Sequence, residues 1–327
     1  MARKKIVVAL GGNAILTDDP SAQGQKAALQ STAQQLVALV QRGDDLVITH
    51  GNGPQVGNLL LQNLAADSAD NPAFELDSLV AMTQGSIGYW LQNAMRNELN
   101  QLRLDKVVST LVTQVLVDRD DPAFQDPSKP IGPYYTEDQA QAKMAQSSAI
   151  FKEDAGRGWR KVVASPTPLA INEIETIRKL VDDQHIVIAS GGGGIPVVQG
   201  HDRTFHGVEA VVDKDEASQS LASALEADLF LVLTGVDHVY INFNKEDQER
   251  LDQVSYAEME KHMADGQFAA GSMQPKVQAC MDFVKANPNS QAVITSLDNL
   301  ENFLNGGSGT LIPVSYTHLR AHETRHD

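Results

Sequence analysis

Residues 5–10, KIVVAL, form a short run of apolar and β-branched side chains with no polar alternation, the pattern of a strand buried on both faces. Gly11-Gly12-Asn13-Ala14 ends the run. Between residues 24 and 42, Leu29, Leu36, Leu39 and Val40 recur at helical spacing, and Gly43 suits the C-terminal cap. A second strand over 46–49 leads into Gly51-Asn52-Gly53. Pro54 then suits the first helical position, and Val56, Leu59, Leu60 and Leu64 continue as a helix. Strand, loop and helix, repeated, predict a parallel sheet with helices packed on it.

The pattern changes at residues 118–135, which hold four prolines, several aspartates and Lys129. Helical signal returns over 137–145, and WRKVVA at 159–164 reads as a strand. Residues 118–158 are therefore expected to project from the sheet edge, either as a lid or as a plain surface excursion. The second half returns to the α/β theme. A strand over 186–189 ends in Ser190-Gly191-Gly192-Gly193-Gly194. A helix over 213–227 carries Ala217, Leu221, Ala224 and Leu225 on one face. A strand over 230–233 leads to Thr234-Gly235, and a helix with Val277, Cys280 and Val284 follows Pro275. Short strands over 292–295 and 310–312 close the sequence pattern.

Composition narrows the class. The 327 residues are 42% hydrophobic and 21% charged, a globular balance, and suffice for one large α/β domain or two lobes. No apolar run reaches membrane-span or signal-peptide length, and the single cysteine, Cys280, excludes an intramolecular disulfide framework. A cytoplasmic protein is expected. The net charge of −16 disfavours nucleic acid and anionic membrane as partners. It also repels phosphorylated small molecules, so such a ligand would need local cations. Residues 315–327 break this composition, with three of the nine histidines. No carboxylate or cysteine pattern accompanies them, so no metal site is assigned, and residues 314–327 read as a non-native appendage.

Three glycine-rich loops follow three strands: Gly11-Gly12-Asn13, Gly51-Asn52-Gly53 and Gly191 to Gly194. Glycine lets backbone N–H groups approach an oxyanion, and a following helix adds its positive end. Two lysines sharpen the picture. Lys214 and Lys276 both stand at helix starts, where a cation opposes the dipole by roughly 0.3–1 kcal/mol. Either they reach into water or an anion sits between them and the helix ends. Asp215 either pairs with Lys214 or favours its own helix N-terminus. Lys129 is a third candidate if the projecting segment folds over the site. His50 reads as a side chain bonded to loop backbone rather than as a catalytic group, and Cys280 as packed and inert.

The motifs VVALGGNA, VITHGNGPQVGN, DPSKPIGPYY, VVASPTP, SGGGGIPV, GVEAVVDKD, LTGVDHVYINF and GSMQPKV resemble, in order, those of the carbamate kinases, in the amino acid kinase superfamily. The resemblance runs from about Lys5 to Ile312. Ser190, Gly235 and Asn172 depart from the family pattern without touching a proposed catalytic group. The resemblance implies an α/β fold, a three-layer αβα sandwich around a mainly parallel open sheet, with a protruding lid subdomain. The expected division is a domain over 1–313, with an N-lobe over 1–184 and a nucleotide-binding C-lobe over 185–313. It further implies a homodimer and reversible phosphoryl transfer from ATP to carbamate, giving ADP and carbamoyl phosphate, with Mg²⁺ accompanying the nucleotide. In cells the reaction often runs towards ATP in arginine or related catabolism. Gly11, Gly12, Asn13, Gly51, Asn52 and Gly53 would surround the acceptor and the transferred group. Lys129, Lys214 and Lys276 would be catalytic with Asp215. Gly235, Val236, Tyr240, Gly271, Ser272 and Met273 would flank the nucleotide.

Many amino acid kinases carry a lysine two residues before the first Gly-Gly, and here that position is Ala9. Lys129 is the expected replacement. Two other readings fit parts of the chain. An NAD(P)-dependent oxidoreductase would use Gly51, Gly53 and Gly57 with Asp67 on a ribose, but leaves the lysines unexplained. A silent ligand sensor of the same fold would lose the lysines, and all three are present.

Overall fold

The first strand sends alternate side chains into two separate cores, which is why its sequence shows no polar face. The structure, a computed structural model, describes residues 3–15, 19–154 and 156–313. The reading of residues 314–327 as an appendage lies outside the described residues. The N-terminal part runs β1 (Lys5–Leu10), α1 (Ala22–Gln41), β2 (Asp45–His50), α2 (Gly53–Ala66), α3 (Leu76–Gln101), β3 (Val108–Thr110) and β4 (Gln114–Val117). The middle holds β5 (Lys129–Tyr135), α4 (Glu137–Gln146), β6 (Ile150–Glu153), β7 (Trp159–Val163), β8 (Pro168–Ile171) and α5 (Ile174–Asp182). Next come β9 (Ile186–Ile188), β10 (Ile195–Gln199), β11 (Phe205–Gly207), α6 (Lys214–Ala224), β12 (Leu229–Thr234), β13 (Val239–Ile241) and β14 (Glu249–Leu251). The described chain finishes with α7 (Tyr256–Ala264), α8 (Met273–Ala286), β15 (Gln291–Ser296), α9 (Leu300–Leu304) and β16 (Thr310–Ile312).

Seven strands form the main sheet in the order β16-β15-β12-β1-β2-β9-β3, parallel throughout except for β16 against β15. Val7, Ala9, Val47, Val187, Phe230 and Val232 face one core, covered by α5, α6, α7 and α8. Ile6, Val8, Leu10, Leu46, Ile48 and Leu231 face the other, covered by α1, α3 and α9. The result is a three-layer αβα sandwich, as the resemblance implies. Burying each large apolar side chain contributes about 1.5–3 kcal/mol, so the two faces together hold the sheet between its helices. Among the described residues no helix is long and apolar enough to cross a membrane.

Two boundaries differ from the sequence expectation. The strand at Trp159–Val163 does not leave the projecting segment at 158. It pairs antiparallel with both β5 and β6, so the small sheet β5-β7-β6 runs on to Val163. Its inner side chains, Ile131 and Val163, pack with Val56, Leu79 and Ile195, which anchors it over α2 and α3. The cut between lobes at 184 also crosses the main sheet, because β9 lies between β2 and β3. A second sheet, β11-β10-β4-β8, lies in the same region of sequence.

Candidate active site

Parallel register brings the glycine loops together. Leu10 lies opposite His50 on one side and Leu233 on the other, and Ile188 lies opposite Ile48. The loops after β1, β2, β9 and β12 therefore leave the sheet at the same edge, the carboxyl ends of the strands, where open α/β sheets bind ligands. Close packing explains the glycines. Gly11 N donates to Leu233 O at 2.9 Å, and a Cβ on Gly11 would sit 2.7 Å from that oxygen. A Cβ on Gly191 would overlap the His50 imidazole, and one on Gly192 the Asn52 amide. Gly192, Gly193 and Gly194 have φ of 67°, 91° and 82°, which glycine adopts at no steric cost. Asn13 occupies the short turn Gly12–Ala14 after β1.

Polar side chains from α3 brace these loops. Asn52 Nδ2 donates to Thr83 Oγ1 at 2.8 Å, and Gln84 Nε2 donates to Gly191 O at 3.0 Å. The Gln84 side-chain amide also pairs with the Thr113 backbone, accepting from Thr113 N at 2.8 Å and donating to Thr113 O at 3.1 Å. Buried polar groups satisfied in this way fix the loops in one arrangement. His50 belongs to the same scaffold. Its Nδ1 lies 2.9 Å from Gly51 O, and burial, aided by the Lys214 charge, lowers its pKa to about 4 against the Gly51 contact. It is neutral near pH 7 and enclosed, as expected of a structural histidine.

The lysines converge. Lys214 Nζ lies 2.5 Å from Asp215 Oδ1 and Lys276 Nζ lies 3.0 Å from Asp215 Oδ2. Asp215 is 3% exposed. Burial pushes its carboxyl up, but the two ammonium groups overrule that and hold it below the usual range. Lys129 Nζ lies 2.6 Å from Asp213 Oδ2. Three ammonium groups thus face two carboxylates, and one positive charge is left over for an anion. Glu216 lies close by. Burial and the nearby Asp213, Asp282 and Asp121 raise its carboxyl to about 7 against the pull of Lys129, so it adds less negative charge than an ordinary glutamate.

Two cavities meet at the start of α8. The larger, about 690 Å³, is lined by Gly11, Gly12, Gly235, Val236 and Tyr240. The smaller, about 240 Å³, is lined by Gly51, Asn52, Gly53, Lys129, Lys214 and Asp215. Gly271, Ser272 and Lys276 line both, and Met273 lines the larger. Lys129, Lys214, Lys276, Asp215 and the selected residues of the loops at 11–12, 51–53, 235–240 and 271–273 thus border one of two adjoining spaces. An apolar chamber open to water beside a small cationic one can hold a molecule with a flat apolar end and an anionic end.

The structure brings several further residues here. Asp213 accepts from the backbone of Asp215 and grips Lys129. Its signal was the acidic residue immediately before a helix, the usual N-cap. Arg160 lines the smaller cavity and donates to Gly132 O at 3.1 Å; nothing in WRKVVA marks it. Phe243 and Lys245 line the larger cavity. Thr83 and Gln84 lie on α3, whose helical spacing was legible and unread.

The description "Amino acid kinase family" matches residues 4–296 of the chain. Carbamate kinase 1 of Enterococcus faecium is 57% identical over 297 residues, covering 91% of this chain and 94% of that protein. The carbamate kinase of Latilactobacillus sakei is 54% identical over 315 residues, covering 95% of this chain and 99% of its own. The solved structure of carbamate kinase from Giardia lamblia bound to AMP-PNP superposes with a TM-score of 0.89 at 42% identity, covering 95% of this chain and 99% of that one. Over nearly its full described length, from the first glycine loop to the helix that carries Lys276, the chain belongs to the carbamate kinases of the amino acid kinase family.

Proposed function

We propose that the chain transfers a phosphoryl group reversibly between ATP and carbamate, forming ADP and carbamoyl phosphate. The observation that carries this reading is the junction of the two cavities, where Lys214 and Lys276 share Asp215 and Lys129 stands opposite. The nucleotide base and ribose occupy the larger cavity, against Gly235, Val236, Tyr240 and Met273. Its phosphates pass Gly271, Ser272 and Lys276, and carbamate lies by Gly51, Asn52 and Gly53, with Gly11 to Asn13 at the transferred group. One oxygen of carbamate forms the new bond to the γ-phosphorus. The bond from that phosphorus to the β–γ bridging oxygen breaks, and ADP takes the electron pair.

Carbamate is already an anion, so the step needs no general base. Its difficulty is the repulsion of two anions brought into line, which lysines and loop amides offset by charge and position. The neutral, enclosed His50 is consistent with that chemistry. Mg²⁺ travels with the nucleotide in this proposal, as part of the substrate. Asp213 and Asp215 are each bonded to lysine, and among the described residues no group of three or more His, Cys, Asp or Glu stands ready for a metal. A homodimer, a cytoplasmic location and a role in arginine catabolism belong to the same proposal. So does lid-like movement of the small sheet, supported by Lys129 at its base.

The test is ADP formation from ATP with ammonium bicarbonate, and ATP formation from ADP with carbamoyl phosphate. Activity in both directions is expected, with no NADH binding. Absence of both activities in folded protein would overturn the reading.

A further inference from the structure

We infer that Asp213 is a positioning residue that holds the Lys129 ammonium at the wall of the smaller cavity. The inference rests on the proposed phosphoryl transfer and adds to it a residue outside the set of lysines and Asp215.

The two oxygens of Asp213 do different work. Oδ1 caps α6, accepting from Asp215 N at 2.8 Å and Glu216 N at 3.4 Å. Oδ2 accepts from Lys129 Nζ at 2.6 Å. One carboxylate therefore joins the helix that carries Lys214 and Asp215 to the first residue of β5. The backbones are already tied nearby, since Val211 N donates to Ala164 O at 2.9 Å. What Asp213 adds is the direction of one side chain. Lysine has a four-carbon stem and a compact charge, and without a partner it samples many rotamers in water. The Lys129 side chain keeps 34% of its exposure, so packing alone does not fix it, while the Asp213 side chain keeps 16%.

The other ion pair from the small sheet to this segment is of a different kind. Lys161 meets Glu209 at 2.5 Å, but the Glu209 side chain is 61% exposed and lies outside the cavity. Exposed pairs of that sort contribute little. Asp213, in contrast, faces the space in which the transferred group would lie. An incoming anion would share the ammonium with Asp213 rather than having to recruit it from solvent, so the cost of orienting Lys129 is met before the substrate arrives.

Asp213→Asn separates the two roles, because asparagine caps helices about as well as aspartate but lacks the charge. Two measurements are made on Asp213→Asn, Lys129→Ala and the double variant. The first is steady-state kinetics. Asp213→Asn is expected to lower kcat about tenfold or more with little change in KM for ATP, and Asp213→Glu to recover part of it. The double variant should be no slower than Lys129→Ala alone, because the two act as a unit. Additive losses, or an unchanged kcat in Asp213→Asn, would overturn the inference.

The second measurement needs no catalysis. Acylation of lysines by an N-hydroxysuccinimide ester is followed by mass spectrometry on the folded protein. Lys129 should label faster in Asp213→Asn than in the wild type, while Lys152 should label equally in both. Equal labelling of Lys129 overturns the pairing. If the wild type proves inactive while Lys129 labels faster in Asp213→Asn, the proposed reaction fails and the pairing stands.

Discussion

Lys276, in the first turn of α8, reaches the carboxylate that Lys214 also holds: its Nζ lies 3.0 Å from Oδ2 of Asp215. Each lysine stands at a helix N-terminus and opposes its dipole. The shared aspartate joins the two helices and half-cancels the two charges. Replacing Lys214 or Lys276 by alanine should lower kcat/KM by about 10²-fold or more, roughly 2.7 kcal/mol of transition-state stabilisation. The fold should persist, since the other lysine still meets Asp215. Near-normal turnover in both variants, measured beside thermal unfolding, would remove the phosphate-binding role.

Asp215→Asn should be the more damaging change for stability. It leaves two ammonium groups, 14% and 15% exposed in their side chains, without their common anion. Breaking a buried ion pair on one side costs about 3–5 kcal/mol. Urea unfolding should show a loss in that range, and ADP should recover more stability in this variant than in the wild type. Wild-type stability in Asp215→Asn would mean that the two lysines do not need the carboxylate.

His50 sets an acid limit on the fold. Its pKa falls from 6.5 to about 4 on folding, mainly through burial. The unfolded chain therefore takes up a proton near pH 6.5 that the folded chain refuses until about pH 4. Stability is complete above pH 6.5 and drains away between 6.5 and 4, by about 1.4 kcal/mol per unit and so about 3 kcal/mol across the window. His50→Gln should be weaker at pH 7.5, where it loses packing against Gly191, but should show a flatter decline to pH 4.5. Parallel declines in the two proteins would contradict this assignment.

Ser190 combines two costs. Its φ is 53°, in the left-handed region, and its Oγ is buried with no hydrogen-bond partner among the described residues. An unsatisfied buried hydroxyl costs about 1–3 kcal/mol. Ser190→Ala keeps the Cβ and should hold or raise the unfolding free energy, with a gain of about 1 kcal/mol expected from urea titration. A clear loss would mean that the hydroxyl has a partner.

The parts of the fold legible in the sequence are those where one rule dominates. KIVVAL read as a doubly buried strand because both faces are covered, and Pro54 and Gly43 marked helix ends by their own geometry. The order of strands was not legible, because β1 beside β12 is a pairing between distant segments that no local pattern encodes. Trp159–Val163 read as a strand without its partners for the same reason. Helix α3 went unread although Leu76, Leu79, Val80, Ile87 and Leu91 recur at helical spacing and are buried. The positions of Lys214 and Lys276 were visible, since a cation at a helix start is a local anomaly, whereas Lys129 at the start of β5 carries no such mark. Arg160 and Phe243 carry no such anomaly, and they join the cavities only through tertiary folding.

The central place of β1 has a consequence for how the protein is made. The strand leaves the ribosome well before its second neighbour, β12, which begins only at Leu229. At translation rates of about 5–20 residues per second, one hydrogen-bonding edge of β1 stays without its neighbour for roughly 10–40 s. Ile6, Val8 and Leu10 spend that interval without the β12 side of their core, in a strand with high β-propensity and no proline or internal charge to deter wrong pairing. Nascent chains of this protein are thus expected to depend on shielding of β1 until β12 has been synthesised.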